Sequence, residues 1–159
     1  VGNGIQRPTD YNIVKIKNCP EPKTNTELKR FYNLAGFYRK FIKGYAKIAK
    51  PLTDLANVPG KKVKVELTEE AKKAYQKIIK KLSKEPVLVL PDLTRPFEVR
   101  TDALDYAIGA VLFQRDEKGN ERPIAFGSRV LSKTEQRYST TKREMLAICY
   151  WIRYWRPYL

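Results

Sequence analysis

At about residue 86 the hydrophobic pattern of this chain changes period. Before that point apolar residues recur every three or four positions. After it they come in short extended runs separated by prolines and polar turns. A 3.6-residue period buries one stripe of a helix, and a run of five or six apolar residues builds a strand, so a helical half is expected to precede a half that holds a small sheet. With 159 residues, 42% of them hydrophobic, there is enough material for one ordinary core or two small ones.

The helical half has its own punctuation. After a lead containing Gly2, Gly4 and Pro8, residues 9–18 read as a helix starting at Thr9 or Asp10, with Tyr11, Val14 and also Ile13 turned inward, and Pro20 and Pro22 stopping it. Thr24-Asn25-Thr26-Glu27 matches the capping box, in which the Thr and Glu side chains each satisfy the other's backbone N–H. Beyond it Leu28, Phe31, Tyr32, Ala35, Tyr38, Phe41, Ile42, Tyr45 and Ala49 form an apolar and aromatic stripe, with Gly36 and Gly44 placed to break it into shorter helices. The aromatics Tyr32, Phe37, Tyr38, Phe41 and Tyr45 are read as packed core rather than as platforms for stacked bases. Pro51 is expected to open a further short turn of helix, before a basic, mobile loop through Pro59, Gly60, Lys61 and Lys62. Thr68, Glu69 and Glu70 then start a helix with Ala71, Ala74, Tyr75, Ile78, Ile79 and Leu82 inward. Its lysines, Lys72, Lys73, Lys77, Lys80 and Lys81, are read as a solvated face, with nonspecific phosphate contact as the second reading.

In the second half, strands are expected over residues 87–90, 97–102, 107–114 and 123–126, and the polar stretch 115–121 reads as a hairpin loop that makes its flanking strands antiparallel neighbours. Ser132-Lys133-Thr134-Glu135 offers a second capping box. Thr141 opens a final helix with Met145, Ile148, Cys149, Ile152 and Trp155 on one face, and Trp151 and Trp155 packing it onto the sheet.

Histidine is absent, which removes Ser-His-Asp and Cys-His nucleophiles, His-ligated zinc and the usual near-neutral base, so any chemistry must run on carboxylates and metal. Cys19 and Cys149, in unlike contexts, imply neither a disulfide framework nor a metal knuckle. No apolar run approaches the roughly 18 residues of a membrane span, and the first residues lack the pattern of a signal peptide, so a cytoplasmic or nuclear setting is expected, with no membrane and no small-molecule substrate. The net charge is +15; residues 1–86 carry 20 basic and 8 acidic side chains, +12, and residues 87–159 carry 12 and 9, +3. Such an excess points to a polyanionic partner. Two carboxylates, Asp102 at a strand end and Glu144 at the start of a helix, are candidates for a divalent metal. Each has a bland alternative, since an Asp after a strand forms turns and Glu144 could cap with Thr141.

Three strings in the first half, residues 22–31 (Pro-Lys-Thr-Asn-Thr-Glu-Leu-Lys-Arg-Phe), 34–42 (Leu-Ala-Gly-Phe-Tyr-Arg-Lys-Phe-Ile) and 46–55 (Ala-Lys-Ile-Ala-Lys-Pro-Leu-Thr-Asp-Leu), resemble the reverse transcriptase thumb of gypsy-type LTR retrotransposons. Pro86-Val87-Leu88-Val89-Leu90-Pro91-Asp92, Thr101-Asp102-Ala103, residues 107–112, Arg122-Pro123-Ile124-Ala125 and residues 138–144 resemble the start of the RNase H domain of the same Pol polyproteins. The resemblance implies an α+β or α/β fold: a thumb-like helical region over residues 1–60, a basic loop and connecting helix over 61–86, and over 87–159 a partial RNase H-like domain, a three-stranded antiparallel sheet with a packed helix.

By that resemblance Asp102 and Glu144 are two of four carboxylates that hold two Mg2+ (or Mn2+) ions for cleavage of RNA in an RNA–DNA hybrid. The other two, and the Tyr-x-Asp-Asp polymerase motif, are expected outside the sequence, so the chain alone is expected to be inactive. Arg30, Arg39, Lys40, Lys43 and Lys47 are expected to meet the phosphates of an RNA–DNA hybrid or DNA duplex. The first strand is left with an open edge for the rest of the polyprotein or another chain. Two readings follow: a segment of an active polyprotein enzyme, in a cytoplasmic virus-like particle or the nucleus, or a host-adopted or truncated module that binds nucleic acid or protein without catalysis.

Overall fold

The computed structural model describes residues 5–6, 10–83 and 88–159, with side-chain surroundings from residue 14 onward. Thr9, Pro86, Val87 and the glycines and proline of the lead lie outside the described residues, as do the side chains of Tyr11 and Ile13. Two units divide the chain, one of Pro8–Pro86 and one of Val1–Arg7 with Val87–Leu159.

The first unit is helical: α1 (Asp10–Lys17), α2 (Asn25–Gly36), α3 (Tyr45–Ala56) and α4 (Glu69–Ser83), with a 3-10 turn (Arg39–Phe41) between α2 and α3. The capping box forms as expected. Thr24 Oγ1 accepts from the Glu27 N–H at 3.2 Å, and the Glu27 carboxylate accepts from the Thr24 N–H at 3.3 Å. The break before α3 falls on Gly44, whose φ of 68° is the left-handed conformation a side chain resists. At α4 the Thr68 hydroxyl accepts from the Ala71 N–H at 3.1 Å. Leu28, Phe31 and Ala35 of α2, Ala49 and Leu52 of α3, and Ala71, Ala74, Ile78 and Leu82 of α4 share one core with Tyr45. Tyr45 is fully buried, and its hydroxyl donates to the Tyr32 carbonyl at 2.8 Å, the partner a buried phenol needs.

Four expectations need correction in this unit. Pro51 does not open a turn but sits inside α3, because Ala49, Leu52 and Ala56 carry the buried stripe through it and their burial offsets the missing hydrogen bond. Val14 is 51% exposed, and Ile16 is the residue of α1 that packs inward. Phe37 is 81% exposed and no part of the core. The loop after α3 is clamped rather than loose, through Asn25, whose fully buried side chain bonds to the backbone of Val58, Gly60 and Val63.

The second unit begins with a two-residue pairing of β1 (Ile5–Gln6) and β2 (Leu88–Val89), a strand the sequence lead had not signalled. β3 (Glu98–Ala103), β4 (Ala107–Arg115) and β5 (Glu121–Val130) form an antiparallel sheet in that order, followed by α5 (Lys133–Gln136) and α6 (Thr140–Tyr154). β5 is far longer than residues 123–126, since an edge strand tolerates polar residues and Pro123 sits at the bulge where β4 and β5 shift register. Ser132 and Glu135 form the second capping box.

Side chains alternate across a strand, so Val99 and Ala103 of β3 face the core with Ile108 and Leu112 of β4, while Glu98, Arg100 and Asp102 face the other way. α6 covers the core face with Ala147, Trp151 and Trp155. The tryptophan packing is as expected, yet the rest of the expected face is wrong: Met145 is 55% exposed, and Ile148, Cys149 and Ile152 are exposed beside it. Gly127 of β5 decides the orientation, because the Trp151 ring lies where a Cβ on Gly127 would come within 2.5 Å. Among the described residues no helix is long and apolar enough to cross a membrane.

Candidate functional site

Asp102 stands one residue before the end of β3, opposite Gly109 of β4, so no cross-strand side chain covers its carboxylate. Glu144 is the fifth residue of α6, in its second turn. The helix starts earlier than Thr141, with Ser139 as its cap accepting from the Lys142 N–H at 3.2 Å, so the capping role weighed for Glu144 does not exist. α6 packs across β3 and β4. Arg143, beside Glu144, donates to Asp105, three residues past Asp102, at 3.2 Å, and this pair ties the two carboxylate-bearing segments together.

The surrounding electrostatics set these two acids apart. Residues 87–159 hold nine carboxylates, and seven of them pair with arginine: Asp92 and Glu117 with Arg95, Glu98 with Arg115, Asp105 with Arg143, Asp116 with Arg122, Glu121 with Arg100, and Glu135 with Arg129. Several are anchored further. The Asn120 N–H holds the Asp116 carboxyl below the usual carboxylate range, and the Ser132 N–H does the same for Glu135. Asp102 and Glu144 are the two left over, exposed and without a hydrogen bond or ion pair among the described residues. Magnesium takes hard oxygen donors that no competing cation occupies, and this pair meets that chemistry. No cluster of three or more His, Cys, Asp or Glu that could hold a metal occurs among the described residues.

The basic candidates sit in the helical unit, all five exposed. Arg30 lies on α2. The other four follow the chain from the 3-10 turn into α3, and two are propped in place: Arg39 Nε donates to the Gly36 carbonyl at 2.9 Å with its guanidinium 5.8 Å from the Tyr45 ring centre, and the Lys40 ammonium lies 5.0 Å from the Phe41 ring centre. Lys43 precedes Gly44, and Lys47 is in the first turn of α3. Phe37, exposed at the end of α2 beside this turn, was missed by grouping it with the core aromatics. The signal was available, since Phe37 falls off the three-and-four spacing that links Phe31, Ala35 and Tyr38.

Residues 67–159 match the family described as the RNase H-like domain found in reverse transcriptase, a match that takes in α4 as well as the sheet. The retrovirus-related Pol polyprotein from transposon opus of Drosophila melanogaster is 44% identical over 152 residues, which cover 91% of this chain and 15% of that protein. The chain belongs to the Pol polyproteins of gypsy-type LTR retrotransposons. The Pol polyprotein from transposon gypsy of the same fly is 39% identical over 86% of the chain and 14% of its own length, and the Tf2-3 polyprotein of Schizosaccharomyces pombe is 34% identical over 96% and 11%. This Pol chain therefore spans about one seventh or less of the curated relatives it matches. Its fold is similar to part of the foamy viral protease-reverse transcriptase. The TM-score is 0.76 at 23% identity for the dRH form in complex with ds DNA, over 94% of the Pol chain and 26% of that one. For the complex with RNA/DNA hybrid it is 0.74 at 24% identity, over 91% and 19%.

Proposed function

We propose that this Pol chain works as the duplex-gripping thumb and part of the RNase H centre of a retrotransposon reverse transcriptase, acting in a cytoplasmic particle or the nucleus. The thumb comprises residues 1–60, joined by residues 61–86 to the RNase H-like part over 87–159. Arg30, Arg39, Lys40, Lys43 and Lys47 meet the phosphates of the duplex, and Phe37 adds an apolar ring to the same surface; these contacts position the nucleic acid and carry no sequence information. The foamy viral enzyme, which shares the fold, is complexed with ds DNA in one structure and RNA/DNA hybrid in another.

Asp102 and Glu144 would hold Mg2+ or Mn2+, completed by acidic residues elsewhere in the polyprotein, and β3 would take a further strand along its free edge. A metal held there would supply an activated water and stabilise the leaving oxygen of the cleaved RNA strand. The residues of this chain hold the carboxylates ready: Gly109 leaves Asp102 uncovered, and the Arg143–Asp105 pair fixes the start of α6 against the strand end.

The observation that carries this reading is the pairing pattern, in which arginines pair with every carboxylate of residues 87–159 except these two. In the intact polyprotein, Asp102→Asn is expected to lower magnesium-dependent cleavage of RNA in a hybrid by about 100-fold or more while hybrid affinity is kept. Cleavage at the parental rate would sink the assignment. With two carboxylates alone the metal is held weakly, so the 159-residue chain by itself is expected to show no hybrid cleavage.

A further inference from the structure

We propose that the loop joining α3 to α4, residues 57–65, is a preformed phosphate-contacting surface, a second grip on the duplex separate from the turn that carries Arg39 to Lys47. The proposal rests on the duplex-binding reading above and adds a site to it.

The loop is basic, carrying Lys61, Lys62 and Lys64, and it is built rather than loose. Asn25, 1% exposed, donates from Nδ2 to the carbonyls of Val58 at 3.1 Å and Gly60 at 2.8 Å, and accepts at Oδ1 from the Val63 N–H at 3.0 Å. A short antiparallel bridge sets Lys64 opposite Thr24, where the Asn25 N–H donates to the Val63 carbonyl and the Val65 N–H to the Lys23 carbonyl, each at 2.9 Å. The Thr26 hydroxyl accepts from the Lys62 N–H at 3.1 Å. The side-chain amide and backbone N–H of Asn25 thus hold this backbone against the N-terminus of α2.

At the loop's tip the backbone is strained. Lys62 has φ of 53°, the left-handed region, and among the described residues it is the only non-glycine there. Glycine would adopt that conformation freely, and a lysine adopts it at a cost that the clamp must hold. The result is a cation presented from a fixed backbone position. Lys23, Lys61, Lys62 and Lys64 are each exposed, and their ammonium groups take no hydrogen bond or ion pair among the described residues. Glu27, the acid nearest Lys23 on α2, is occupied by the N–H groups of Lys23 and Thr24.

Unpaired lysines suit phosphates, which they meet as point charges without a required plane. Because the backbone is already ordered, binding does not have to freeze it, which distinguishes this surface from a flexible basic tail.

The test is fluorescence anisotropy with a labelled RNA–DNA hybrid of about 20 base pairs, titrated with the whole chain over a range of NaCl concentrations. Each phosphate contact contributes about 0.9 to the slope of log affinity against log salt. The variant Lys61→Gln/Lys62→Gln/Lys64→Gln is expected to flatten that slope by about 2 to 3 and to bind at least roughly 10-fold more weakly near 0.1 M salt. Lys72→Gln/Lys73→Gln/Lys77→Gln on α4 removes the same charge and is expected to change the slope by less than about 1. Equal losses in the two variants would overturn the proposal, since net charge alone would then explain binding, and so would an unchanged slope in the loop variant. Failure of the parent chain to bind the hybrid at all would overturn the thumb reading itself and this one with it. All six positions are surface lysines, so melting temperature serves as the check that both variants fold.

Discussion

The two units answer the same problem, an excess of cations, in opposite ways. The helical unit, residues 8–86, carries 17 lysines and 2 arginines, while the sheet unit, residues 1–7 with 87–159, carries 10 arginines and 3 lysines. In the sheet unit the arginines lock onto carboxylates, several through two nitrogens, as with Arg115 on Glu98 at 2.8 and 3.3 Å and Arg129 on Glu135 at 3.1 and 3.2 Å. A planar guanidinium makes that fork and an ammonium cannot. The helical unit keeps its lysines at the surface, with Lys50 and Asp54 as an ordinary exposed pair. One unit pairs most of its charges internally and leaves two carboxylates without an arginine partner; the other keeps its lysines outward.

The two units can be followed separately, because both tryptophans lie in the sheet unit and fluorescence reports on it alone, whereas helical dichroism weights the other. The largest expected effect is Gly127→Ala, which drives a Cβ into the Trp151 ring and should cost the sheet unit about 3 kcal/mol in denaturant unfolding followed by fluorescence. If that transition does not move, Trp151 does not seat on Gly127.

Next is pH. Glu135, Asp116 and Asp92 are held below the usual carboxylate range, first by the Ser132 N–H, the Asn120 N–H and the Thr94 hydroxyl respectively. A depressed carboxyl stabilises the fold above its unfolded value of about 4 and loses that contribution as pH falls through the folded value, so the sheet unit should weaken in acid. Glu135→Gln should flatten the decline. Burial pushes the Tyr45 hydroxyl up, with Tyr32 adding to the shift and Arg39 opposing it. A raised phenol stabilises the fold below about 10 and fails as pH rises through the folded value, so the helical unit should weaken in alkali, an effect absent in Tyr45→Phe. Identical pH profiles for the two probes would erase the contrast.

The smallest effect is salt. Raising NaCl to about 1 M screens exposed arginine pairs and lysine repulsion alike, so the sheet unit should lose about 0.5 kcal/mol and the helical unit gain a similar amount. Shifts of the same sign by fluorescence and dichroism would show that pairing does not divide the units.

Legibility in the sequence followed range. Capping at Thr24, Thr68 and Ser132 was readable because donor and acceptor lie within three residues of each other. The buried face of α6 was not. Met145, Ile148, Cys149 and Ile152 form as good a stripe as Leu146, Ala147, Tyr150 and Trp151, and the choice rests on a gap above Gly127 that belongs to another strand. The loop after α3 looked mobile from its composition because its clamp, Asn25, lies more than 30 residues away. For the candidate site, the residues themselves came from the Thr-Asp-Ala and Lys-Arg-Glu strings, but nothing in those strings shows that the neighbouring acids are all taken.

By itself the sequence determined the order and type of the main elements, the split of charge between the halves and the candidacy of Asp102 and Glu144, because short-range hydrogen bonds, periodicity and residue chemistry are local properties. Only the tertiary structure decided which helix face is buried, which loop is held and which carboxylates are left without a partner. Those depend on residues distant in the chain competing for the same space and the same charges, and a pattern along one segment does not register its competitors.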